Sequence, residues 1–117
     1  LALTAAETGH LVLATLHTRG ASQAIERLVD TFPAQEKDPV RNQLAGSLRA
    51  VLAQKLLPDL QDGRVALYEL LVNTAAAANL IREGKTWQLP GIIQTGQQAG
   101  MQNFDQSLAE RRSQGRL

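Results

Sequence analysis

The 117 residues suit one small domain or a piece of a larger one, and 12 basic against 11 acidic side chains leave a formal charge of +1, too little one-sided charge to imply nucleic acid as a partner. Cysteine is absent, which excludes a disulfide framework, a thiolate zinc site and a cysteine nucleophile together. No apolar run approaches the roughly 20 residues that span a bilayer, so any membrane association is expected through partners rather than by direct insertion, and with aromatics at 3% the core must be aliphatic.

The chain opens on LALTAAETG, which reads as a helix already under way over residues 2 to 8 and closing at Gly9; a longer parent protein is expected. Leu11, Val12 and Leu13 then form an unbroken apolar run, which predicts a strand over 10–16 buried on both faces, as in a parallel α/β sheet. Ala21, Ala24, Ile25, Leu28 and Val29 recur at helical spacing and predict an amphipathic helix ending near Phe32-Pro33. A second helix is expected from Pro39 to about Leu48 with Asp38 as its cap, an earlier start at Ala34 being open.

The turn formers of PDLQDG separate two apolar segments, Val51 to Leu57 and Arg64 to Val72, which reads as a hairpin; helix stays open for Ala50 to Leu57. Thr74 can cap a helix over Ala75 to Arg82 that Gly84 closes. Two more helices are expected, about Thr86 to Gln97 and Asn103 to Ser113. The fold class is therefore α/β, with 1–73 as one part and 74–117 as a helical lobe.

His10 and His17 are seven apart, so on a strand they face opposite sides and cannot easily share one metal ion. His17 stands at the carboxyl end of the predicted strand, where open α/β sheets bind ligands, and Thr18 and Gly20 follow it; a histidine hydrogen-bonded in a strand-to-helix turn is the plainer alternative. For His10 a structural duty is the simpler reading. Glu7 could orient an imidazole or complete a Thr4-x-x-Glu7 capping box. No GxxxxGK[ST], GxGxxG or HExxH occurs, so the usual phosphate cradle of backbone amides is missing and the chain alone is not expected to hold ATP tightly. Arg82, Glu83 and Lys85 read as a solvated helix end, and Arg27 and Arg49 have the same default reading.

TAAETGHLVLATLHT, residues 4 to 18, resembles the histidine box of the pilus and type II secretion ATPase family. AIERLVDTFPAQEK (24 to 37), GRVALYELLVNT (63 to 74), NLIRE (79 to 83), IIQTGQQAGMQ (92 to 102) and FDQSLAE (104 to 110) look like successive segments of its retraction branch, so the resemblance covers nearly the whole chain. Extension and secretion ATPases of this superfamily usually carry a tetracysteine zinc loop, which this chain lacks.

The resemblance implies the C-terminal part of a RecA-like P-loop ATPase: a cytoplasmic hexameric ring, peripheral to the inner membrane through pilus or secretion machinery, that hydrolyses ATP with Mg2+ to drive pilus retraction and twitching motility. By the same carry-over the P-loop and Walker B carboxylates lie upstream of Leu1. His17 would stand near the γ-phosphate with Thr18 beside it, and His10 and Glu7 would support the same box. Arg19 stands where the family usually has Asn, and Ala77-Ala78 where the retraction branch usually has Ile-Arg, which marks a divergent paralogue. A non-catalytic interaction or regulatory module that kept the fold is the alternative. A piece cut from such a core is expected to self-associate or swap domains through the strand edge around 11–16.

Overall fold

The computed structural model describes residues 19–117; the helix expected over 2–8 and the strand expected over 10–16 lie outside them. Helix α1 (Ala21–Asp30) buries Ala21, Ala24, Ile25 and Val29 on one face, the apolar stripe that its spacing requires. It ends where Phe32-Pro33 turns the chain. A 3-10 turn at Ala34–Glu36 leads into helix α2 (Lys37–Ser47).

Helix α2 starts before Pro39, and Asp38 is not its cap. Pro39 occupies the first turn, where the missing N–H has no intrahelical partner to lose. The Asp38 carboxylate instead accepts a 2.8 Å bond from Arg41 Nη1.

Ala50–Pro58 forms strand β1 and Arg64–Val72 strand β2, a two-stranded antiparallel pair in which Ala53 faces Glu69 and Leu57 faces Val65. The helical option for Ala50 to Leu57 is thereby excluded. Val65, Leu67 and Leu71 share the buried face, whereas Leu52 and Leu56 on the other face are 64% and 53% exposed. The tight return is made by Asp62 and Gly63 at φ 135° and 73°; glycine reaches positive φ without the Cβ penalty. The C-terminal segment covers the outer edge of β2: Leu70 N donates to Gln102 O at 2.8 Å, and Tyr68 N to Ser107 Oγ at 3.1 Å.

Helix α3 (Ala75–Glu83) has the ends its sequence specifies. Thr74 Oγ1 accepts from Ala77 N at 3.3 Å, and Gly84 closes the helix at φ 74°. Gly84 N donates to Ile81 O and Lys85 N to Leu80 O, which satisfies carbonyls left over at the helix end. Ala77 and Ile81 are fully buried and join Ile25, Val29, Val40 and Leu44 in one aliphatic core.

The single helix expected over 86–97 is replaced by a 3-10 turn at Thr86–Gln88, helix α4 (Leu89–Thr95) and a second 3-10 turn at Gln97–Ala99. A continuous helix from Thr86 would need an N–H on Pro90 to reach the Thr86 carbonyl, and proline has none. At the far end a Cβ on Gly96 would lie 2.8 Å from Ile92 O, so the chain can pass this closely only as glycine. Helix α5 (Phe104–Ser113) opens with a reciprocal cap, Asn103 and Gln106 each bonding the other's backbone N–H at 2.8 Å.

Candidate functional site

Glu7, His10, His17 and Thr18 lie outside the described residues. The chain enters view at the exposed Arg19 and at Gly20, which leads directly into α1. What the structure places beside that entry is Glu69.

Glu69 is the lone acid of β2, in VALYELLV, and its alternation puts it on the same side as Val65, Leu67 and Leu71. It is half-buried there, opposite the small Ala53. A carboxylate on a packing face is costly unless it is hydrogen-bonded, and its partner is the first amide of α1: Ala21 N donates to Glu69 Oε1 at 2.9 Å. Negative charge at a helix N-terminus is favourable because the first N–H groups have no intrahelical acceptor. Gly20 permits the approach, since a Cβ there would stand 3.0 Å from Oε1. The start of α1 is thus tied to the sheet rather than capped by its own side chain, for Gly20 makes no side-chain cap.

Farther along α1, Glu26 Oε1 accepts a 2.5 Å bond from Thr86 Oγ1, whose residue is largely buried. This contact joins α1 to the turn before α4. A cleft opens beside it, bordered by Glu26, Asp30, Arg41, Gly84 and Thr86. Its cation, Arg41, already holds Asp38. Among the described residues no group of three or more His, Cys, Asp or Glu could hold a metal ion. At the end of α3, Arg82 bonds Asn79 and Lys85 pairs with Glu83 on the surface, as a solvated helix end should.

The sequence reading missed Glu69, although one signal was present: a single acid in the mostly apolar run VALYELLV. Glu26 and Thr86 carry no comparable signal.

Residues 1–62 match the family of Type II/IV secretion system proteins, more than half of the chain. The chain belongs to that family. Within the Type II/IV secretion system proteins it is 78% identical over its whole length to YggR of Escherichia coli K12, covering 36% of that protein. It is 53% identical over 108 residues to the type IV pilus retractation ATPase PilT of Pseudomonas aeruginosa, which is 92% of this chain and 31% of that one. Among solved structures, the pilus retraction motor PilT with bound ADP superimposes with a TM-score of 0.87 at 43% identity, over 99% of this chain and 32% of that one. The resemblance to the retraction branch therefore holds, and the α/β fold is that of part of such an ATPase. The chain spans about a third of the length of these relatives. Among the described residues no helix is long and apolar enough to cross a membrane.

Proposed function

We propose that the chain is the C-terminal part of a hexameric, cytoplasmic, ATP-hydrolysing motor of the pilus retraction type, held at the inner membrane by pilus or secretion machinery. The observation that carries this reading is the likeness, over nearly all of the chain, to PilT in its ADP-bound structure. In this reading residues 1–73 belong to the RecA-like core and 74–117 form a helical lobe that moves with nucleotide state.

The described residues offer no phosphate cradle. The first amide of α1 is taken by the Glu69 carboxylate, which would repel a phosphate from that helix end, so the phosphates and Mg2+ are assigned to the part of the parent protein outside this chain. Bound ATP supplies the phosphoryl group that is transferred to water. His17 is the residue of this chain assigned to face the γ-phosphate, where an imidazole N–H would act as a positioned donor toward developing charge. Thr18 provides a second polar contact, and Glu7 and His10 hold the box in shape. Replacing His17 by Ala in the full-length protein is expected to cut ATP hydrolysis severely; unchanged turnover contradicts the assigned role.

Ala77-Ala78, in the place of Ile-Arg, favours a second reading in which the parent is a regulatory member that moves no pilus. A degenerate phosphate loop in the parent would support it, and an intact GxxxxGK[ST] supports the motor.

A further inference from the structure

We infer that residues 102–116 are an autoinhibitory edge guard, which keeps the outer edge of β2 from pairing with β2 of a second copy of this chain. In an antiparallel pair every second residue turns its N–H and C=O away from the partner strand. In β2 these are Ala66, Tyr68 and Leu70, and the C-terminal segment meets each of them. Leu70 exchanges two backbone bonds with Gln102, at 2.8 and 3.3 Å, as it would with a third strand. Beyond that point side chains take over: Gln102 Nε2 donates to Tyr68 O, Tyr68 N donates to Ser107 Oγ, and Arg111 Nε donates to Ala66 O, each at 3.1 Å.

A helix can stand in for a strand here because of its spacing. Four residues of helix advance about 6 Å, and two residues of antiparallel strand advance about 6.8 Å. Ser107 and Arg111, four apart on one side of α5, therefore fall level with Tyr68 and Ala66, two apart on the edge, with α5 running against the direction of β2. Ser107 is 1% exposed, so water does not compete for this row. The Lys55 ammonium lies over the Phe104 ring, 4.3 Å from its centroid, and holds the first turn of α5 on the sheet.

What the guard covers is a self-complementary edge. The run VALYELLV carries one acid and no proline, a composition that pairs readily with other strands. Turned about a twofold axis at Tyr68, two such edges place Tyr68 opposite Tyr68 and Ala66 opposite Leu70, and every outward N–H meets an outward C=O. The bonds from Gln102, Ser107 and Arg111 hold those same groups, so the second copy is shut out for as long as α5 stays in place.

The test is the mass of the full-length protein in solution, read by light scattering without nucleotide, with thermal melting as the measure of folding; its outcome is separate from that of the ATPase reading. The double variant Ser107→Leu with Arg111→Ala lifts α5, because a leucine has no room at so buried a position, and is expected to form assemblies of larger mass than the wild type at equal concentration. Adding Tyr68→Pro removes the N–H at the centre of the new pairing and is expected to return the mass to that of the wild type. A folded double variant of wild-type mass, or excess mass that Tyr68→Pro leaves unchanged, overturns the inference. Should either variant fail to fold, Ser107→Ala removes one guard bond with little change of packing. Amide exchange at Tyr68 is then expected to quicken about tenfold while Leu67, which faces β1 in the ladder, keeps its wild-type rate. Wild-type exchange at Tyr68 in Ser107→Ala overturns the inference equally.

Discussion

Arg116 grips Asp59 with two nitrogens, Nε at 2.7 Å and Nη2 at 2.6 Å from the same Oδ2, and the Asp59 side chain is only 4% exposed. The chain's last turn thereby fastens the tip of the β1–β2 hairpin, and Leu60 N adds a 2.8 Å bond to the Arg116 carbonyl. The Asp59 carboxyl is held below its ordinary value of 3.8, first by the backbone N–H of Gln61 and then by the Arg116 hydrogen bond and charge, against the opposing effect of burial. A carboxylate whose folded pKa is depressed contributes stability that is present above its unfolded pKa and is lost as pH falls through the folded one.

Arg116→Ala is therefore expected to speed amide exchange at residues 59–64 at neutral pH. The gap from wild type should narrow as pH drops below 3.8, because acid removes from the wild type what the mutation has already removed. A gap that stays constant down to low pH contradicts the ion pair as its source.

Asn73 joins the end of β2 to the end of α2. Its Nδ2 donates to Ala45 O at 3.0 Å and to Leu48 O at 2.8 Å, two carbonyls that the helix end leaves open. Asn73→Ala is expected to weaken the end of α2 by about 1–2 kcal/mol, seen as roughly tenfold faster amide exchange there. Asn73→Asp cannot donate and should be no better.

Ala77 is fully buried between α3 and the core, whereas Ala78 is only partly buried. Ala77→Ile is expected to cost about 1–3 kcal/mol through overpacking. Ala78→Arg is expected to cost less than about 1 kcal/mol, because a long side chain can run its charged end out to water. Exchange protection of α2 and α3 measures both; an Ala77→Ile protein as protected as wild type contradicts the packing described here.

Local chemistry was what the sequence disclosed best. Thr74 and Gly84 act within one turn of themselves, and the Pro, Asp and Gly of the hairpin loop set its geometry residue by residue. The break at Pro90 escaped because the apolar spacing of residues 89–93 continues through it, and one missing N–H decides the matter. Glu69 with Ala21, Thr86 with Glu26 and Arg116 with Asp59 lie 48, 60 and 57 residues apart, distances at which no periodicity carries information. Conversely, the histidine box was legible only as a motif, and its residues lie outside those described.

The central claim is that this chain belongs to a motor whose phosphate site lies elsewhere in the parent protein. Its most direct test is ATP hydrolysis with Mg2+ by the full-length protein and by the 117-residue chain side by side. Turnover by the full-length protein alone is the predicted result. Turnover by neither, or turnover by the short chain without a phosphate cradle, would contradict it.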